Sequence, residues 1–176
     1  ERFYISEKYE NYITGDVNKT IEVLQAWAKI YPNDYIPHTN LAVNYSLIGR
    51  NEDALTEALE AARLDPNNST AAGNVIDSFI RLNRFDEAKQ TFQQLQSRYP
   101  ESFPVHFYGF ALAFLAGDSA AMDRELQWAS GKPIEPDLLA NMGSVAAFSG
   151  QLRKGEDYVN RAVEMLGSQD RKENES

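Results

Sequence analysis

The sequence predicts an all-α fold, a right-handed α-solenoid built from about five helix–turn–helix units in a row. Three observations carry that prediction. Pro32, Pro66 and Pro100 recur at one even interval, in KIYPND, RLDPNN and SRYPES. Aligned on those prolines, the seventh and eleventh residues of a unit are Leu41 and Tyr45, then Val75 and Phe79; the twentieth and twenty-seventh are Ala54 and Ala61, then Ala88 and Leu95. A turn residue recurs between the two helices of each unit, at Gly15, Gly49, Asn83 and Gly117. A fixed period of this length signals units that cannot bury an apolar face alone and must stack.

Taken in order, the units differ in how closely they keep the pattern. The first (residues 1–34) has a degenerate opening helix, with Thr20 and Trp27 at positions that are usually small. The second (35–68) and third (69–102) keep it well, and Asn83 fits because Asn tolerates the left-handed conformation a helix end requires. The fourth (103–135) retains Gly117 but places Pro133 one residue early, and the fifth (136–168) has Met142, Gly143, Ala146, Gly150, Val159 and Ala162 in register. Pro37, Pro104 and Pro136 fall in first turns of opening helices, where a missing N–H costs nothing. Asp16 and Asp118, each after a glycine, are expected to cap second helices. Residues 1–168 read as one array, and the tail 169–176 has no apolar face and is expected to be disordered.

This pattern resembles the tetratricopeptide repeat, a helix–turn–helix unit of about 34 residues, over nearly the whole chain. Ala54, Ala61 and Ala88 let the two helices of a unit approach closely, while Leu41, Tyr45 and Phe79 fill the remaining space. A stacked array of this kind leaves a concave face lined by the opening helices, whose residues are free to bind.

Composition narrows the partners. The net charge of −9 and the pI near 4.7 argue against nucleic acid, since affinity for a phosphate backbone comes from Lys and Arg. There is no cysteine, hence no disulfide and no thiolate metal site. No apolar run approaches the roughly 20 residues of a membrane span, so no direct membrane insertion is expected, and the compartment stays open. The first residue is Glu1, which is expected of a segment from a longer protein.

The sixth residues of the five units are Ser6, Asn40, Asn74, Tyr108 and Asn141. A side-chain amide both donates to and accepts from a peptide group, so a ladder of Asn suits an extended backbone of any sequence. Some superhelical tetratricopeptide proteins carry such a ladder, which is what the resemblance adds. The plainer reading is that Asn is a common polar surface residue. Asp77 and Arg81 lie nearby, either as charged readers or as an i,i+4 ion pair. In FPVHFYGFALAF, Phe103, Phe107, Phe110 and Phe114 recur at helical spacing, and core packing is favoured over an apolar groove pocket; Phe107 stays a candidate beside Tyr108. Inner positions Ile5, Tyr9, Thr39, Val43, Gly73 and Asp77 lack the Lys and Arg that would hold a C-terminal carboxylate. Phe3, Tyr4, Tyr9 and Tyr12 suggest a docking face for upstream sequence or for a second copy.

No catalytic residue, metal ligand or cofactor site is expected. His38 and His106 are the fourth residues of units two apart, on the order of 20 Å from one another at helix spacings of ~10 Å, and read as half-buried packing residues. Glu57 and Glu60 read as solvated, beside Arg63. The opening stretch, from ERFYISEKYENYITGD to NLAVNYSLIGR, also resembles the repeats that follow the kinase domain of large Acidobacteria-type Ser/Thr kinases, and repeats that follow winged-helix transcription regulators. That resemblance implies a sensor or docking segment. No kinase signature lies within these residues.

Overall fold

The computed structural model describes the backbone of residues 1–174 and the side chains of residues 1–167. It divides into two compact units, Glu1–Val105 and His106–Ser176. The first holds α1 (Arg2–Lys8), which runs on into a π-helical segment (Tyr9–Thr14), then α2 (Val17–Ile30), α3 (Tyr35–Leu47), α4 (Asn51–Leu64), α5 (Ser69–Arg81) and α6 (Phe85–Arg98). The division falls inside α7 (Phe103–Ala116), and α8 (Ser119–Ala129), α9 (Glu135–Phe148) and α10 (Leu152–Asn174) belong to the second unit. There is no strand among the described residues. The fold is all-α, and its helix pairs coincide with the five sequence repeats.

One turn chemistry closes four of the five hairpins. Gly49, Asn83, Gly117 and Gly150 all sit at positive φ. The residue after each donates its N–H back five residues: Arg50 to Tyr45 at 2.9 Å, Arg84 to Phe79 at 2.9 Å, Asp118 to Ala113 at 2.9 Å and Gln151 to Ala146 at 2.8 Å. That bond, with the shorter one from the left-handed residue itself, satisfies carbonyls the helix leaves open. Asn83 holds φ at 58° without being glycine. Asn83→Val is therefore expected to cost about 1–2 kcal/mol and Asn83→Gly almost nothing, as read from urea unfolding midpoints.

Closing helices are started in two ways. Asp16 and Asp118 cap α2 and α8, accepting from the N–H groups of Lys19 at 3.1 Å and Ala121 at 2.9 Å. On α4 and α6 the equivalent residues are Arg50 and Arg84. Each donates to a carboxylate three residues on, Asp53 at 2.7 Å and Glu87 at 2.9 Å. Each also lies over an aromatic ring in the last turn of the preceding helix, Tyr45 or Phe79.

The first unit's core gathers Ile21, Leu24 and Trp27 of α2 with Leu41 and Tyr45 of α3 and Ala54 of α4. Trp27, at a position usually small, is accommodated by Phe3, whose ring stacks on it with centroids 6.3 Å apart, and by Asp34, which accepts from its Nε1 at 2.9 Å. Phe3 is thus taken into the core rather than left for docking. Glu7 is buried beside it, 3.2 Å from the Lys8 ammonium. Burial pulls the Lys8 pKa down, but the hydrogen bond and charge of Glu7 outweigh this and leave it raised.

In the second unit Phe110, Ala113, Met122, Ala129, Ile134, Leu138 and Met142 form the core, with Phe107 and Phe114 packed against it. The one-residue slip of the fourth repeat has a structural source. Helix α8 has 11 residues where α2, α4 and α6 each have 14, and a turn through Gly131 and Pro133 replaces the missing length. Helices α9 and α10 meet at two glycines: a Cβ on Gly155 would lie 2.9 Å from the Gly143 carbonyl oxygen. Helix α10 continues to Asn174, which corrects the expectation of a structureless tail for most of residues 169–176. Gln169, Arg171, Lys172 and Glu173 are all good helix formers, and nothing after Gly167 stops the helix. Residues 175–176 lie outside the described residues.

Candidate functional site

The ladder residues of the first unit lie on α3 and α5, which are neighbours. Asn40 and Asn74 occupy the same repeat position and both are half-buried. They differ in how they are held. The Asn74 side-chain amide donates to the Thr39 backbone carbonyl at 3.3 Å, clasping α5 to α3. That bond uses one of the two N–H groups of the amide. One turn further along each helix, a polar residue bonds back to the ladder position: Asn44 Nδ2 donates to the Asn40 carbonyl and Ser78 Oγ to the Asn74 carbonyl, both at 2.8 Å. Asn44 is 4% exposed, and its Oδ1 is a buried acceptor with no hydrogen-bond partner among the described residues. Neither back-bond was anticipated, although Asn44 and Ser78 occupy one repeat position in successive units.

Asp77 and Arg81 form the i,i+4 ion pair, with Nε 2.6 Å from Oδ2, so the two charges are spent on each other in this conformation. In the second unit, Tyr108 and Phe107 are half-buried on α7, their rings edge to face with centroids 5.2 Å apart. Phe107 also rests on the core, as the favoured reading of the phenylalanine stripe expected. Phe103, by contrast, is exposed. Asn141 on α9 is half-buried.

The histidines have partners that the sequence reading did not assign. His38 Nδ1 lies 2.6 Å from Glu57 Oε2, and His106 Nδ1 lies 2.6 Å from Glu125 Oε2. Glu57 is therefore not simply solvated. It joins α4 to α3, while Glu60 alone pairs with Arg63 through two bonds of 2.7 Å. Arg63 holds the Glu60 carboxyl below its usual range, a contribution present above the unfolded-state value and lost as pH falls through the folded one. On a surface pair of this kind it is small. The signal for the histidine pairs was legible: the spacing from His38 to Glu57 is repeated from His106 to Glu125, two units further on. Among the described residues no cluster of His, Asp or Glu is placed to hold a metal ion, and no helix is long and apolar enough to cross a membrane.

Comparison with known proteins agrees with this architecture. A tetratricopeptide repeat family model matches residues 76–102. The chain is 28% identical over 76 residues to the protein STIP1 homolog of Dictyostelium discoideum, a match covering 43% of this chain and 14% of that protein. The structure superimposes on TTC0263, a thermophilic TPR protein of Thermus thermophilus, with a TM-score of 0.75 and 16% identity, over 88% of this chain and 86% of that one. It also superimposes on the Rap conjugation gene regulator of plasmid pLS20, solved with a Phr peptide, with a TM-score of 0.70 and 14% identity, over 96% of this chain and 54% of the regulator. With the even repeat spacing, the recurring turn and these matches, the chain has the fold of the tetratricopeptide-repeat solenoids.

Proposed function

We propose that the protein is a non-catalytic interaction module that binds an extended peptide or protein segment along its opening helices. The observation that carries this reading is the pair Asn40 and Asn74, at one repeat position on adjacent helices and both half-buried, with the Asn74 side chain anchored by its bond to Thr39. An extended backbone offers an N–H and a C=O at each residue, and an Asn side chain answers both without regard to sequence. In the second unit Tyr108 and Asn141 carry the same register on α7 and α9, and Phe107 is the apolar residue beside Tyr108. The peptide held by the Rap regulator, which shares this fold, supports the class of ligand. The charge of −9 favours a neutral or basic segment. The same role fits a sensor or docking segment of a larger kinase or transcription regulator, the setting that the opening residues resemble.

The test is an array of unstructured peptides probed with wild type and with Asn40→Ala/Asn74→Ala. Each lost hydrogen bond is worth about 1 kcal/mol, so the double variant is expected to bind roughly 10- to 30-fold more weakly. Its melting temperature should fall only slightly, through the lost Thr39 clasp. Peptides bound equally by both proteins would rule out the ladder.

A further inference from the structure

We infer that the second unit binds a free aromatic amino acid, in a cleft on α8, α9 and α10 that lies where two other repeats carry an aromatic ring of their own. The site shares no residue with the groove proposed above.

The second and third repeats show what usually fills this place. The eleventh residue of the unit is Tyr45 on α3 and Phe79 on α5, and both rings are buried. Over each ring lies the guanidinium of the sixteenth residue, Arg50 or Arg84. The carboxylate of the nineteenth residue, Asp53 or Glu87, holds that guanidinium in turn. On the closing helix of the preceding repeat, the twenty-first residue is Ile21 or Leu55, also buried, and Ile21 shares a core cluster with Tyr45. In the fifth repeat all four positions are changed together. Ala146 stands for the ring, Gln151 for the arginine, Lys154 for the carboxylate, and Asp123 of α8 for the buried aliphatic.

A cleft of about 360 Å³ opens at these residues. Buried Met122, Met142 and Ala146 with half-buried Tyr158 give it an apolar floor. Asp123, Gln151 and Lys154 stand exposed at its rim. Every lining residue lies between Ser119 and Tyr158, so the cleft is bounded by three consecutive helices of the second unit and owes nothing to either end of the sequence. Its walls are held in place, because α9 and α10 meet backbone to backbone at Gly143 and Gly155, the latter between Lys154 and Tyr158.

The lining selects the class of ligand. Two thioethers and a tyrosine ring receive an aromatic ring well, and a ring is what the equivalent place holds in the other two repeats. The volume lies in the range of small-molecule sites. Asp123 and Lys154 carry opposite charges on different walls, α8 and α10, and neither forms a hydrogen bond or ion pair among the described residues; the Lys154 ammonium lies 5.9 Å from the Tyr158 ring centroid. An aromatic amino acid brings an ammonium for Asp123, a carboxylate for Lys154 and a ring for the floor. The same ring within a peptide chain would bring neither charge.

Titration with phenylalanine or tyrosine, followed by amide NMR spectra, tests this. Saturable shifts are expected at Met122, Ala146, Gln151 and Tyr158, with a Kd of roughly 1 mM or tighter, the range open to so small a ligand. Phenethylamine and phenylpropionate each keep the ring and one charge, and are expected to bind roughly 5- to 10-fold more weakly. N-acetylphenylalanine amide, which imitates the ring in a peptide, is expected to be weaker still. Asp123→Asn and Lys154→Met change exposed residues only. The first is expected to weaken phenylalanine but not phenylpropionate, and the second to weaken phenylalanine but not phenethylamine. Ala146→Phe supplies the ring from the chain itself, and is expected to abolish binding without lowering the melting temperature. The two rim variants carry the test however Ala146→Phe folds. No saturable shift with either amino acid, equal binding of the acetylated amide, or phenylalanine binding unchanged in both rim variants would each overturn the inference. Asn40→Ala/Asn74→Ala is expected to bind phenylalanine as wild type does, which separates this result from the fate of the groove.

Discussion

Gly155→Leu is expected to unseat α10 from α9 and to cost the second unit about 2–3 kcal/mol, the range for forcing bulk into a packed contact. The reason is an approach of backbone to backbone. A Cβ on Gly155 would meet the Gly143 carbonyl oxygen at 2.9 Å and the Ala147 backbone nitrogen at 3.3 Å, and neither belongs to a side chain that can swing aside. Even Gly155→Ala is expected to destabilise, although alanine normally gains about 1 kcal/mol over glycine inside a helix. At Gly143 the nearest obstacle is Val159 Cγ2 at 2.7 Å, with the Gly155 carbonyl oxygen at 3.0 Å. Val159 is partly exposed and able to shift, so Gly143→Ala is expected to be milder. Hydrogen exchange along α10, compared between wild type and the three variants, reads the order directly.

Leu24→Ala is expected to cost about 3 kcal/mol or more, and Val159→Ala at the same repeat position less than about 0.5 kcal/mol. Leu24 is fully buried among Ile21, Trp27, Leu41 and Tyr45, so truncation removes transfer energy and leaves a cavity. Val159 has solvent on one side. Denaturant melts of the two variants at low concentration supply the comparison. Equal losses would mean that the repeat register does not decide which flank is covered.

Most of the fold was legible because its determinants are local. The prolines, the left-handed turn residues and the Asp16 and Asp118 caps each act within a few residues of themselves, and each stands where the repeat register put it. What escaped was longer in range or depended on length. The π-helical segment Tyr9–Thr14 has no compositional mark in YENYIT. The shortened α8 showed in the sequence only as a proline one residue early. The tail was read from its lack of an apolar face, whereas α10 carries on into it through residues that favour helix wherever nothing interrupts them.

The candidate site was legible as positions but not as pairings. Asn40 and Asn74 fall on neighbouring helices, as one register position in successive units must. That Asn74 has already committed its amide to Thr39 is a tertiary fact, since the bond joins two different units and periodicity does not describe hydrogen bonds. The same holds for Glu57. Its charge placed it on a solvated face, but the stack of α4 on α3 brings it within reach of His38. For Asp77 and Arg81 the helical spacing alone sufficed, and the ion pair is the outcome that spacing favours.

The two tryptophans fall one to each compact unit, in environments that differ in kind. Trp27 lies against a phenylalanine ring and gives its indole proton to Asp34. Trp128 is sandwiched, with the His106 imidazole 3.2 Å from its ring centre and the Lys132 ammonium 3.3 Å from it. Both of those neighbours quench indole emission when they carry charge, whereas a phenylalanine ring does not. The two indoles are therefore expected to differ in brightness, as emission spectra of the two single-tryptophan variants would show. Trp27→Phe leaves a signal from the second unit alone and Trp128→Phe one from the first, so whether the two units melt together or in turn becomes a matter of colour and intensity, with no label attached.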